Sequence, residues 1–574
     1  MQRLLSVLVI LLCVGGVSAS QPGGVVYLHD PDDTLAWSPL LCSSPICQEI
    51  QGLVLPRLFS DETVGLSDVG LSTGQDTVLA SRVDYGNGNK TMLLTLRDDL
   101  RWEDGTPVTA YDAFYTFLTF GGSANGFGSS AAFLPLDATT LLIEQRTLSC
   151  VLYNVQMTIL PAHALDAAFA TQAAGFGFTA DKDASEQLAA WLAQHPWNAQ
   201  AVQQNPWHIT MPITLMGRDM AQVSPGDFLE VQLGAGQTSV GLHIYSNLPT
   251  EASVNYFLAG QLDVLRDAPR NRWADLAAFP HVKLVRQPTE EKAVLIFNLT
   301  DPNQPAPYKD PFDNLLKQVP HPILSDLKVR QAIAAAVDVN QMIEVGLNGY
   351  GIPTNETFAA NTDLTTPDVP RFDPDKAERL LTEAGWLRSA DGVDPVRRCH
   401  DCATAEENAP LSLTIAYQAG DATDPAYAIV NALREQMARV GIELRLGDTN
   451  DLRTQQFDIA FVPRTTADAE LAKRFITQND GAENVSSYTN PAVDALLTDV
   501  DVASATATCD RAQIQDRYAK AELKLSADLP EMTLFAYEDV VAVRDWVLNT
   551  DAIRLFNPLL HADQWQVYYG PQVP

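Results

Sequence analysis

Apolar and polar residues alternate through TMLLTLR (91–97). This puts Met92, Leu94 and Leu96 on one face of an extended segment, the period of a half-buried strand. The period then changes. After the turn signal Asp104-Gly105, residues Ala110, Ala113, Phe114, Phe117 and Leu118 recur at helical spacing, a stripe wide enough to face a core. Thr109 stands before the stripe as a cap, Asp112 follows at the third helical position in a capping-box arrangement, and Gly121-Gly122 ends the helix. Every acid in LRDDLRWEDGTPVTAYDAFYTFL (96–118) therefore has a turn or cap role open to it. The stretch reads as scaffold, not as a carboxylate-based catalytic loop.

The same reading continues along the chain. Residues 23–60 suggest a strand, a loop and a helix (ICQEIQGLVLPRLF), residues 76–150 mostly short strands, and the Ala-, Gln- and Trp-rich 161–207 helices. FLEVQLG and VGLHIYS read as strands, EASVNYFLAGQLDVL as a helix stopped by Gly260 and running into a short strand, and VKLVRQ and KAVLIFNLT as two further strands. From residue 325 strands and helices repeat. Ser325 is expected to cap SDLKVRQAIAAAV, Asp338 with Gln341 to open the next helix, and Asp373-Pro374 to start FDPDKAERLLTEAGW, with Gly385 as its stop. LSLTIAY, DPAYAIVNALREQMARVG and IELRLGD form a βαβ pattern with parallel strands. FDIAFVP is another strand, a long helix spans 510–528, and a strand pair is expected around EMTLFAYEDVVAV.

At 574 residues, 46% of them hydrophobic, the chain is a folded globular protein too long for one ordinary core. MQRLLSVLVILLCVGGVSAS has the positive n-region, apolar core and small-residue site of a secretory signal over residues 1–19; Cys13 offers a lipoprotein alternative, but the bulky Leu12 before it fits lipid modification poorly, so cleavage after Ala19 is the stronger expectation. The net charge of −33 argues against nucleic acid or an anionic membrane bound over a broad surface. Six cysteines follow the signal, an even number suited to disulfides in an exported chain. Cys42 with Cys47 and Cys399 with Cys402 are local candidates, which leaves Cys150 and Cys509 as a pair by elimination. Cys399-His400-Asp401-Cys402 is open to a second reading as a redox or metal motif. It sits in a Gly- and Arg-rich loop, and no second CxxC completes a zinc site, so a loop disulfide is the stronger expectation. HExxH, GxxxxGK[ST] and GxGxxG are all absent, which lowers the expectation of an enzyme without excluding one. The sequons at Asn89, Asn298, Asn355 and Asn484 are short enough to arise by chance.

Four stretches in order carry a resemblance: LRDDLRWEDGTPVTAYDAFYTFL, LSDLKVRQAIAAAVDVNQMIEVGLNGYGIP, FDPDKAERLLTEAGW and VSSYTNPAVDALL. They are similar to the "W/F-x-D-G-x-P-x-T-A-x-D", "VRxAIxxAID", "Y-D-P-x-x-A-x-x-L-L-x-x-A-G" and "Y-x-N-P-x-x-D-x-L-L" segments of the family 5 extracellular solute-binding proteins. That family comprises the oligopeptide-, dipeptide- and nickel-binding proteins of ABC importers. The resemblance implies an α/β, two-lobed periplasmic-binding-protein-like fold of type II, with an additional domain in lobe I and a ligand cleft between the lobes. Lobe I would take residues 20–288 and 535–574, with the additional subdomain at about 60–205, and lobe II residues 289–534. The implied protein is a periplasmic or extracellular monomer that captures a small polar solute or short peptide and hands it to membrane permease subunits. It needs no cofactor and no covalent chemistry. Where peptide-binding members carry "G-W-x-x-D", this chain has Pro463-Arg464 and an acid, Asp468, one residue late; Thr210-Met211-Pro212 replaces the usual "T-G-P". Arg464, Thr465, Thr466 and Asp468 are the ligand-binding candidates, and a guanidinium at 464 favours a ligand with an anionic group.

Overall fold

The computed structural model describes residues 24–29, 49, 58, 79–86, 91–102, 104–119, 131–145, 159–195, 213–214, 221–224, 229–233, 240–245, 248–305, 318–358, 371–390, 392–418, 424–447, 452–465, 474–477, 484–506, 511–553, 558–559 and 562–568. Two strands organise it. VKLVRQ and KAVLIFNLT are not separate; they form one 16-residue strand, Val282–Phe297. The expected pair around EMTLFAYEDVVAV is likewise one 14-residue strand, Glu531–Arg544. The polar run RQPTEEK hides the first continuity, because its residues fit no apolar period. The two strands lie antiparallel from Val282↔Arg544 to Ile296↔Glu531, with a register shift between Pro288 and Lys292. Proline brings no N–H to the ladder, so the irregularity falls where a hydrogen bond is already missing.

Each end of this ribbon enters a different core. Val285, Val541 and Val543 pack with Val26, Leu94, Phe114, Ile143 and Leu242. Leu295, Phe297, Met532, Leu534 and Phe535 pack with Ile333, Leu381, Ile415 and Leu433. The fold is thus α/β and two-lobed, with the ribbon shared. Lobe I contains a four-stranded sheet in the order 24–29, 240–245, 229–233, 221–224, and a second one in the order 80–86, 91–96, 140–145, 131–135. Helices 110–119, 167–176 and 182–194 accompany the second sheet. The largest sheet runs 264–265, 531–544, 282–297, 459–465, 412–417, 443–447, with 351–353 also on 531–544. As the βαβ pattern requires, 412–417 and 443–447 are parallel.

The stretches that carry the resemblance are scaffold. In the first, Asp112 is buried at the start of helix Ala110–Thr119 and accepts N–H bonds from Thr109 (2.7 Å) and Ala162 (2.9 Å). It thereby joins one helix start to another. Burial pushes its carboxyl from 3.8 up to about 6, against the pull of those N–H groups. A carboxyl raised on folding contributes stability below its unfolded value and loses it as pH rises through the folded one. Between about pH 4 and 6 the loss totals about 3 kcal/mol, at about 1.4 per pH unit. Asp112→Asn removes the titration, but its amide NH2 must face one of the two N–H donors, at a cost of about 1–3 kcal/mol. Urea titrations should show the parent's advantage over Asp112→Asn growing as pH falls from about 7 to about 4. A constant difference would mean that Asp112 ionises as it does in the unfolded chain.

The helix caps follow the sequence with two changes. Asp326, not Ser325, caps Leu327–Ala336 through Lys328 N–H, while the Ser325 hydroxyl bonds His321 O. Asp338 caps Val339–Leu347 through Gln341 N–H (3.1 Å), but the reciprocal half of the box is made by Gln436, whose Oε1 accepts from Asp338 N–H (3.0 Å). A tertiary neighbour outcompetes the local partner. Asp373 caps Pro374–Glu383 as expected. Gly385, at φ +86°, lies so close to His400 O that a Cβ would come within 2.7 Å. The sequon residues Asn298, Asn355 and Asn484 are all buried, and their amides bond Phe457 O, Ser526 Oγ and Tyr488 O. Asn89 lies outside the described residues.

Candidate functional site

Strand direction decides which edge of the lobe II sheet faces lobe I. Strands 443–447 and 459–465 run parallel to 412–417, and 282–297 runs against both 459–465 and 531–544. Tyr417, Gly447, Thr465 and Tyr537 therefore share one edge, and at Tyr537 the chain is about to leave for lobe I. Ligands of α/β sheets bind beyond such carboxyl ends. From lobe I, strand Val264–Leu265 runs antiparallel to 531–544, so the loop that follows it, residues 266–272, is delivered to the same junction. His29, at the end of Gly24–His29, meets this loop through its Nε2 and Arg266 O (3.0 Å).

The junction is built of arginines and rings. The Arg286 guanidinium lies 4.5 Å from the Tyr350 ring centre, donates to Gly349 O (2.8 Å) and pairs with the buried Glu538 carboxylate. Tyr350 meets Trp273 edge-on at 4.9 Å. Arg270 lies 4.9 Å from the Tyr537 ring centre and 5.5 Å from that of Trp273. Thr289 Oγ1 donates to Tyr537 O (3.1 Å) across the irregular part of the ribbon. Deeper in lobe I, Arg266 pairs with Glu49, whose carboxyl burial raises to about 7 although the guanidinium pulls it down.

The candidates from sequence land as follows. Strand alternation puts Arg464 on the face that carries Ala460 and Val462, opposite Lys292 in register. It is buried, and its guanidinium pairs with the equally buried Glu531. It is therefore neither a free guanidinium nor a surface ion pair. Lys292, on the same face, reaches Glu356 (3.3 Å), and the nearby Glu522 accepts Thr357 N–H (2.7 Å) and Phe358 N–H (3.0 Å). Burial raises the Glu522 carboxyl, and the Lys292 charge opposes this. Thr465 is exposed at the strand end, paired with Glu291. Thr466 and Asp468 lie outside the described residues. Cys399 and Cys402 are bonded to each other. Their loop is closed by His400 Nδ1 (3.0 Å) and Asp401 N–H (3.1 Å) on the Glu407 carboxylate. Cys42, Cys47, Cys150 and Cys509 are outside the described residues. Sequence reasoning missed Arg270, Trp273, Arg286, Tyr350, Tyr537 and Glu538. Only Arg270-Asn271-Arg272-Trp273, cations beside an aromatic just after a strand, offered a local signal.

Two lobes are thus joined by two continuous antiparallel strands, with strand ends facing each other at the crossover. The pattern of bacterial extracellular solute-binding proteins, family 5 (middle part), matches residues 243–485 of this chain. It is 22% identical over 486 residues to the periplasmic murein peptide-binding protein MppA of Escherichia coli, covering 80% of each chain. To the glutathione-binding protein GsiB of Pectobacterium atrosepticum it is 26% identical over 221 residues, 35% of this chain and only 38% of that protein. The ABC transporter substrate-binding protein of Sinorhizobium meliloti superposes with a TM-score of 0.62 at 18% identity, covering 93% of this chain and 98% of that one. The unliganded open form of MppA gives 0.61 at 16% identity, covering 96% and 98%. Among the described residues no helix is long and apolar enough to cross a membrane.

Proposed function

We propose that this protein is the substrate-binding subunit of an ABC importer, working outside the cytoplasmic membrane as a monomer. It captures a short peptide or other small polar solute between its lobes and delivers it to membrane permease subunits. The carrying observation is the shared ribbon. Only Pro288–Lys292 and the facing part of Glu531–Arg544 need change conformation for one core to swing against the other. Relatives named for glutathione and murein peptide support a peptide-like solute. The wall that reads it is the end of strand Ile459–Thr465, with Arg464, Thr465 and the following Thr466 and Asp468. Binding and closure need no covalent step. The redox alternative for Cys399–Cys402 is not supported, since that pair closes a structural loop in lobe II. Native mass spectrometry of the purified protein is expected to show a bound small molecule, and small-angle scattering a smaller radius of gyration with it than after its release. Equal radii would rule out capture by closure.

A further inference from the structure

The cations gathered at the junction differ in one respect. Arg266 is paired with Glu49, Arg286 with Glu538, Lys292 with Glu356 and Arg464 with Glu531. Arg270 has no carboxylate within ion-pair distance among the described residues. Its one side-chain hydrogen bond among the described residues is a long one, from Nη2 to Glu538 O at 3.4 Å. Asp539 lies within electrostatic reach of it, beyond ion-pair distance, and accepts Val540 N–H (2.8 Å). The guanidinium lies over the rings of Trp273 and Tyr537, which come from two different elements. Trp273 is buried and donates its own Nε1–H to Ala268 O (2.6 Å), so it is a rigid support.

A planar five-donor group, set against aromatic rings and with one side-chain hydrogen bond among the described residues, suits a planar anion. It stands where the loop of one lobe overlies the carboxyl-end edge of the other, so closure would withdraw a bound anion from water. The acidity of the whole chain does not forbid this. Charges beyond about 8 Å are screened at physiological salt, whereas a desolvated pair in contact is not. We propose that Arg270, rather than Arg464, receives a carboxylate of the captured solute, with Trp273 and Tyr537 as positioning residues. This rests on the reading of the protein as a solute-binding subunit and names the solute class as carboxylate-bearing.

The probes are two tripeptide pools that differ only in carrying C-terminal carboxylates or C-terminal amides. Each is titrated calorimetrically into the parent, Arg270→Gln and Arg270→Lys. The parent should bind the acid pool at least about thirtyfold more tightly than the amide pool. Arg270→Gln should lose that preference and bind both pools as the parent binds the amides, at an unchanged thermal midpoint. Arg270→Lys, which keeps the charge but not the stacked plane, should fall between them. A parent indifferent to amidation overturns the proposal, as does an Arg270→Gln protein with the parental preference. If Arg270→Gln is itself destabilised, the acid-against-amide comparison in the parent and Arg270→Lys decides. If the parent binds neither pool, the peptide reading fails separately, and the molecule released from the parent in native mass spectrometry becomes the judge. An acid-bearing molecule missing from Arg270→Gln supports Arg270; one without an acid group, or one retained by the variant, overturns it. A parent that binds no pool and carries no molecule overturns both readings.

Discussion

Arg464→Ala should cost this protein about 3–5 kcal/mol of stability, because it leaves the Glu531 carboxylate buried without its counter-ion. Both side chains are almost wholly shielded, at 5% and 4% exposure, so water cannot replace the lost partner as it would at a surface pair. The effect is expected as a lowered urea midpoint at unchanged slope, with the lobe II tryptophan Trp386 as one reporter. Arg464→Met combined with Glu531→Leu removes both charges and should restore stability to near the parent value or above it. This pair of variants also separates stability from recognition. If the double variant is stable and still retains the co-purified solute, Arg464 acts only through the fold. If it is stable and empties, Arg464 belongs to the wall that reads the solute. A loss of less than about 1 kcal/mol in Arg464→Ala would show that the pair is hydrated in solution.

Arg330→Met is the second change with a large expected effect, again about 3–5 kcal/mol. Among the described residues Arg330 has no carboxylate at ion-pair distance, although the charges of Asp528 and Asp326 act on it. Its Nε donates to Leu529 O (2.9 Å), Nη1 to Leu324 O (2.6 Å) and Ser325 O (3.2 Å), and Nη2 to Asp528 O (2.5 Å). These carbonyls come from the approach to one helix and the end of another, just before the ribbon strand begins at Glu531. Asp528 also accepts from Tyr488 (2.6 Å) and Asn490 (2.7 Å), so two stretches far apart in sequence are tied to one helix end. Burial pulls the guanidinium down to about 10, still charged at any physiological pH. Methionine fills the volume but leaves the carbonyls unsatisfied. Arg330→Lys, with a point charge in place of a fork, should recover only part of the loss. Amide exchange should quicken around 525–532 in both variants, and unchanged protection there would refute the keystone role.

The resemblance carried the family and the two-lobed fold because its motif residues are local signals with local consequences. Thr109 and Asp112, Asp373 and Pro374, and Gly385 each set a helix end within a few residues of themselves. Apolar period likewise placed the strand at 91–96 and the βαβ unit at 412–447. Continuity of the ribbon was not legible. A strand that passes between cores has no reason to keep an apolar face at the crossing, and the partner strand supplies its order. For the same reason Gln436 displaced Gln341 at Asp338.

The sequence by itself determined the cap at Asp373 and the parallel strands of the βαβ unit, since these depend on neighbours in the chain. Which cation lacks a carboxylate at ion-pair distance among the described residues was decided only by the tertiary structure. Arg464 and Arg270 both stand near strand ends and read alike in one dimension. Glu531, 67 residues away from Arg464, neutralises it, whereas Tyr537, 267 positions beyond Arg270, offers a ring in place of a carboxylate. Charge state at a site is a sum over spatial neighbours, and the chain brings those neighbours together only on folding.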